Sequence, residues 1–81
     1  MATLIARIDF FSPLWENGEL EKILCNKDNE YIISWLKDNC ACMHETVDLD
    51  NVFEEAIIDF SGYLVTYHDG GMIEDIKLYE K

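Results

Sequence analysis

The sequence predicts an α+β fold, in which a small, mostly antiparallel sheet is covered on one face by two or three helices. Three observations predict it: an alternating apolar segment at the N-terminus, helical periodicity in the middle, and a glycine-centred hairpin near the C-terminus. The chain has 81 residues, and no linker, repeat or low-complexity segment divides it. Because this length has room for one core, residues 1–81 are predicted to form a single acidic domain.

The first strand is predicted over Ala2 to Phe10, because every second residue there is apolar and a half-buried strand has a period of two. Ser12 then suits an N-cap for a short helical turn from Pro13 to Asn17. Gly18 can stop that turn in a left-handed conformation. The N-terminal strand thus leads directly into the helical part of the chain.

Two helices are predicted next. The first runs from Glu19 to Cys25 and buries its apolar residues Leu20, Ile23 and Leu24. Asp28 or Asn29 can cap the second helix. Its apolar residues recur at helical spacing and are Tyr31, Ile32, Trp35 and Leu36. Trp15 and Trp35 lie on apolar helical faces and are both predicted to belong to the core.

A third helix is predicted after a loop from Ala41 to Thr46, with Asp50 as its N-cap and Gly62 as its stop. The residues that would form its apolar stripe are Val52, Phe53, Ala56, Ile57 and Phe60. A strand beginning near Ala56 is the alternative, because the pair Ile57-Ile58 suits either structure.

A C-terminal hairpin completes the predicted sheet. Tyr63 to His68 and Met72 to Tyr79 flank Asp69-Gly70-Gly71. Glycine adopts the positive backbone angles that a tight turn requires. The hairpin and the N-terminal strand together make the antiparallel sheet.

The charge of the chain excludes several classes of partner. Its 17 acidic residues against six lysines and arginines give a net charge of −11. Direct binding to nucleic acid or to anionic membranes is not expected, because affinity for phosphates comes mainly from Lys and Arg. The same charge attracts basic clefts on other proteins and speeds encounter with them.

Acidic residues are concentrated in the second half of the chain. The stretch from Met43 to His68 contains neither Lys nor Arg. On the predicted third helix its carboxylates form a negative outer side that imitates nucleic-acid phosphates; a solvated helix face is the alternative. A second acidic region lies on the hairpin near Tyr63, Tyr67 and Tyr79, which suit a protein interface or else brace the sheet. The predicted partner-binding residues are Asp48, Asp50, Glu54, Glu55, Asp59, Tyr67, Glu74 and Asp75.

No motif in the sequence indicates catalysis, and no cofactor is expected. Cys40, Cys42 and His44 form one isolated cluster, whereas structural zinc sites use two pairs of ligands. We expect these thiols to pack as small apolar groups and to hold no metal. The odd number of cysteines fits a reducing compartment, and the N-terminal residues, with Arg7 in their middle, do not resemble a signal peptide. A cytoplasmic location is therefore expected.

Charge and the lack of catalytic motifs together favour a small inhibitor that binds the basic cleft of a nuclease or another nucleic-acid-binding effector. In size and charge the whole chain resembles phage-encoded anti-defence proteins such as anti-CRISPR and anti-restriction inhibitors, which implies action in the host cytoplasm. No motif carries this resemblance, so it assigns no residue a role. An immunity protein against a nuclease toxin is a related possibility. The alternative is a structural or regulatory homodimer that pairs through a sheet edge or through its tyrosines.

Overall fold

The computed structural model has the predicted α+β architecture, with a five-stranded antiparallel sheet and two α-helices in its described part. It describes residues 1–9, 11–13, 17–52, 54–69 and 74–81, without the side chains of Asp69 and Glu74. The elements along the chain are β1 (Ala2–Asp9), α1 (Glu19–Asn26), α2 (Asn29–Cys40), β2 (Ala41–Val47), β3 (Glu55–Phe60), β4 (Tyr63–Asp69) and β5 (Glu74–Glu80). The strands lie side by side in the order β2-β1-β5-β4-β3.

The first strand is confirmed, but its two halves face different cores. The pairing of β1 with both neighbours shifts register between Leu4 and Ala6, which is a β-bulge at Ile5. Leu4 therefore packs on the open face of the sheet, whereas Ala6 and Ile8 pack under the helices. The alternation in the sequence runs on without interruption and does not reveal this change of face.

Both predicted helices are present. Gly18 precedes α1 with φ 73°, and the carboxylate of Asp28 caps α2 by accepting the Tyr31 N–H at 2.8 Å. Leu20 of α1 and Leu36 of α2 are fully enclosed against the sheet. In the turn predicted before Gly18, the Asn17 N–H donates to the Pro13 carbonyl at 2.9 Å. Phe10 and residues 14–16, and with them Trp15, lie outside the described residues.

The predicted loop at 41–46 and the predicted third helix are both wrong. The first is β2, and the second is a single 3-10 turn, Leu49–Asn51, followed by β3, so the strand alternative near Ala56 is the correct one. Asp48, rather than Asp50, caps the 3-10 turn. Pairing with β4 over residues on both sides of a bulge at Ile57 fixes β3 as a strand, and Ile57-Ile58 suits a pleated surface.

The segment that joins β2 to β3 crosses the open face of the sheet. Its two ends lie at opposite edges, about 19 Å apart for four gaps between neighbouring strands. Leu49 and Val52 within it pack beside Leu4 and Tyr79, which lie on inner strands. The helices occupy the other face. The sheet therefore has a helix-covered side with the larger core and an open side. The crossing segment, described at residues 48–52 and at Glu54, covers this open side only in part.

The predicted C-terminal hairpin is confirmed as β4 and β5, although residues 70–73 of its connection lie outside the described residues. A second tight hairpin, not predicted, joins β3 to β4 through Ser61 and Gly62. Both residues have positive φ angles, 52° and 83°, as a type I′ turn requires. Gly62 is therefore the second residue of a turn and not a helix stop.

Replacing Gly62 with alanine is expected to lower the free energy of unfolding by about 1–2 kcal/mol, the cost of a left-handed conformation for a residue with a Cβ. A Cβ there meets no atom within 4 Å, so the cost is conformational and not steric. Ser61→Asn is the matched control and should stabilise the protein slightly, because Asn-Gly is the preferred type I′ pair. Urea denaturation of both variants checks this. A Gly62→Ala variant as stable as the parent would contradict the assigned turn.

Candidate partner-binding surface

Four exposed carboxylates follow the chain from one sheet edge to the other. Glu45 lies on β2, Asp48 and Asp50 on the crossing segment, and Glu55 at the start of β3. We call these four residues the acidic path. Among the described residues none of them takes part in an ion pair, and no Lys or Arg occurs in the sequence between Lys37 and Lys77. No ion pair among the described residues therefore neutralises the acidic path.

Glu45 was not among the predicted partner-binding residues. Three residues that were, Glu54, Asp59 and Asp75, differ from the acidic path because each forms an ion pair. Lys77 binds Glu54 and Lys81 binds Asp59. Glu54 is half-buried in its ion pair, whereas the side chain of Asp59 is 63% exposed. Glu54 thus anchors the crossing segment to β5, and Asp59 remains open to other cations.

Asp75 is buried on the open face of the sheet. Its carboxylate accepts a hydrogen bond from the Arg7 guanidinium at 3.0 Å, and only 8% of its side chain is exposed. The other carboxylate oxygen is enclosed without a hydrogen-bond partner among the described residues. The structure therefore places this predicted partner-binding residue inside the protein, where it orients Arg7. The side chain of Glu74 lies outside the described part of the chain.

The tyrosines of the hairpin brace the sheet. Tyr79 is 2% exposed on the open face, and burial is the main reason why its pKa is raised. Tyr67 is half-buried and packs against the core under the helices, away from most of the acidic path. Tyr63 accepts a hydrogen bond from Lys37 Nζ at 2.8 Å, and this bond is the main cause of the raised pKa of Lys37. These positions match the alternative interpretation of the sequence, in which the tyrosines brace the sheet.

The cysteine cluster spans the junction of α2 and β2. Cys40 is half-buried against the core, while Cys42 and His44 are exposed on β2. Burial raises the pKa of the Cys40 thiol, and the nearby Cys42 raises it further. A raised pKa lowers the thiolate fraction at neutral pH, and thiolate is the form that binds metals. Among the described residues no group of three potential ligands is positioned around a metal site.

Among the described residues, two grooves lie beside the sheet. One, of about 330 Å³, lies on the open face between β2 and the crossing segment, and its lining includes Leu4, Arg7, Glu45, Lys77 and Tyr79. Two cations and the carboxylates Glu45 and Glu54 line it, so its formal charges cancel. The other groove, of about 280 Å³, lies between α2 and the β3–β4 turn. Neither contains a pairing of nucleophile and base that indicates catalysis.

Two exposed apolar residues of β3, Ile57 and Phe60, were missed by sequence reasoning, which assigned them to a buried helical stripe. They are 43% and 40% exposed. The signal that could have found them is Ser61-Gly62, a two-residue turn between β-rich segments, which places residues 55–60 in a strand.

Comparison with known proteins adds no relative. No protein-family model matches the chain, and no curated protein or solved structure matches it either. Within the described residues, no helix is both long enough and apolar enough to cross a membrane. The case for function therefore depends on the residues themselves.

Proposed function

We propose that this protein is a small, non-catalytic inhibitor that binds a basic, nucleic-acid-binding surface of another protein, in the cytoplasm. The observation that carries the proposal is the acidic path, Glu45, Asp48, Asp50 and Glu55, which is exposed and unpaired among the described residues. Exposed carboxylates that are in no ion pair can meet Arg and Lys of a target, as nucleic-acid phosphates do.

The observed secondary structure changes how the acidic path can imitate a nucleic acid. The carboxylates do not line a helical rod, since the segment that carries them is a strand, a crossing segment and another strand. They are spread irregularly from β2, along the crossing segment, to the start of β3. Complementarity of potential, and not a regular phosphate spacing, is then the basis of recognition.

Affinity capture with competition tests the proposal. The immobilised protein is incubated with a bacterial lysate, and retained proteins are challenged with duplex DNA, with RNA and with salt. Raising the salt from about 0.05 to about 0.5 M shortens the Debye length from roughly 14 to roughly 4 Å, so contacts at the rim weaken. We expect the retained proteins to bind nucleic acid and to be released by nucleic acid and by salt. Retention that survives both challenges would contradict the proposal.

A further inference from the structure

The outer edge of β3 is open. The strand order places β3 last in the sheet, and its residues other than Ile58 are all exposed. Among the described residues no backbone hydrogen bond outside the sheet ladder involves residues 55–60. Natural edge strands are commonly shielded by charged side chains, especially Lys, by Pro or by a bulge. β3 has neither Lys nor Pro, and its two charges, on Glu55 and Asp59, repel an acidic strand but not a basic one. Its bulge, between Ala56 and Ile58, leaves the C-terminal half regular.

The register of the β3–β4 hairpin shows which backbone groups face outward. In a two-residue turn the carbonyl of Phe60 accepts from the N–H of Tyr63, so Phe60 and Tyr63 form a hydrogen-bonded pair. Paired residues of an antiparallel ladder alternate between hydrogen-bonded and non-hydrogen-bonded. Asp59, opposite Leu64, is in a non-hydrogen-bonded pair. Its N–H and C=O therefore point away from the sheet, toward any strand added at this edge.

Apolar surface accompanies this edge. Ile57 and Phe60 expose 43% and 40% of their surface. Phe60 also lines the groove of about 280 Å³ beside α2, together with Ile33 and Tyr63. An added strand presents alternate side chains to each face of the sheet, so every second side chain would be directed toward the groove side. The edge thus offers backbone partners and a place for apolar side chains at the same time.

The charge of β3 indicates which kind of strand can pair with its outer edge. Glu55 and Asp59 are both exposed on β3, and Asp59 already accepts the ammonium of Lys81, the kind of group that a partner's lysine would offer. A second copy of this chain, with a net charge of −11, would bring the same two acids to the edge and be repelled. At the opposite edge of the sheet Cys42, Met43 and His44 all face Ile5, which makes the outer backbone of β2 irregular.

We propose that the free edge of β3 accepts an extended, lysine- or arginine-bearing segment of the partner protein as an additional strand, with apolar side chains of that segment in the groove beside α2. This inference rests on the proposed function, because it takes the partner to be a basic protein. Backbone hydrogen bonds at Asp59 supply affinity, and Glu55 and Asp59 select the charge of the incoming strand.

A synthetic peptide in which lysine alternates with valine, of about seven residues like a typical strand, is the probe. It is titrated into the isotope-labelled protein. We expect amide shifts centred on β3 and the groove, and slowed hydrogen exchange of the Asp59 amide. The control is the same peptide N-methylated at every second residue, which keeps the charge and should bind at least about tenfold more weakly. Equal binding of both peptides, shifts centred on β2, or no shifts at millimolar peptide would overturn the proposal.

Substitutions at β3 give a second, independent test with the same peptide. Asp59→Ala and Asp59→Pro both remove the carboxylate, but only Asp59→Pro removes the outward N–H. The Asp59→Pro variant should therefore bind the peptide at least about tenfold more weakly than the Asp59→Ala variant. Phe60→Ser should also weaken binding, whereas Tyr31→Ser, which removes a 47% exposed aromatic ring on α2, should not. Circular dichroism checks the folding of each variant. If Asp59→Pro does not fold, the comparison of Phe60→Ser with Tyr31→Ser tests the proposal. Equal affinities across the folded variants would overturn the proposal.

The two proposals can fail separately. If nucleic acid releases a captured basic protein but the Phe60→Ser variant binds that protein as tightly as the parent does, strand addition fails and the inhibitor proposal stands. If the peptide adds to β3 but nucleic acid releases nothing, the inhibitor proposal fails. Sedimentation of the protein alone shows whether a second copy occupies the edge; a dimer abolished by Asp59→Pro but not by Asp59→Ala would overturn the choice of occupant.

Discussion

Replacing Leu78 with alanine is expected to lower the free energy of unfolding by about 2–5 kcal/mol. Leu78 lies on the central strand β5, has no exposed surface, and packs in the core under the helices with Leu36 and Val65. A protein of this length has a total stability of roughly 4–12 kcal/mol. The substitution therefore removes a large share of the stability. Urea denaturation, followed by the fluorescence of the tryptophans, measures the loss.

Leu49→Ala is the matched control, because it removes the same atoms from the other face of the sheet. Leu49 belongs to the crossing segment and is only partly buried against the smaller cluster around Leu4 and Tyr79. Its loss should cost no more than about 1–2 kcal/mol, since the site is half open to water and leaves no closed cavity. Similar losses for the two variants would show that the open face contributes as much to the fold as the helix-covered core does.

Neutralising Glu45, Asp50 and Glu55 together, as Glu45→Gln, Asp50→Asn and Glu55→Gln, is expected to weaken binding to a captured basic target at least about tenfold, or about 1.4 kcal/mol. The three side chains are exposed and have no ion pair among the described residues, so the fold should survive. Asp48 is retained because its carboxylate accepts the Asp50 N–H at 3.1 Å and caps the 3-10 turn. Calorimetry at low and high salt measures the affinities.

A second triple variant separates local from overall charge. Glu19→Gln, Glu21→Gln and Asp38→Asn remove the same charge from exposed positions on the helices. If the acidic path is the binding surface, this variant keeps most of the affinity of the parent and its dependence on salt. Equal weakening by the two triple variants would mean that net charge alone steers binding, and no change in either would contradict electrostatic recognition altogether.

Elements with a strong local signal were predictable from residues alone. The alternation over β1, the cap at Asp28 and the left-handed Gly18 each depend on neighbours within a few positions. The segment 52–60 was not predictable in the same way, because its apolar residues satisfy helical spacing while Ile57-Ile58 favours a strand. Its conformation depends on β4, which follows it after the Ser61-Gly62 turn and supplies its hydrogen-bond partners.

The candidate site was predictable in composition but not in arrangement. The concentration of acids between Met43 and His68 is visible in the sequence. Which acids remain outside ion pairs depends on basic residues that are distant in sequence. Lys77 forms an ion pair with Glu54, and Arg7 forms one with Asp75, which lies 68 positions away. The Arg7–Asp75 pair forms only when β1 and β5, from the two ends of the chain, become neighbours.

Composition and short-range pattern therefore determine that this chain is an acidic α+β domain with a strand, two helices and a C-terminal hairpin, because these follow from backbone preferences and local burial. The tertiary structure alone decides that Ile5 bulges, that the crossing segment lies on the open face, and that β3 becomes an exposed edge. The physical reason is that these features depend on hydrogen bonds, burial and ion pairs between distant strands, whose free energy exceeds the small difference between local alternatives.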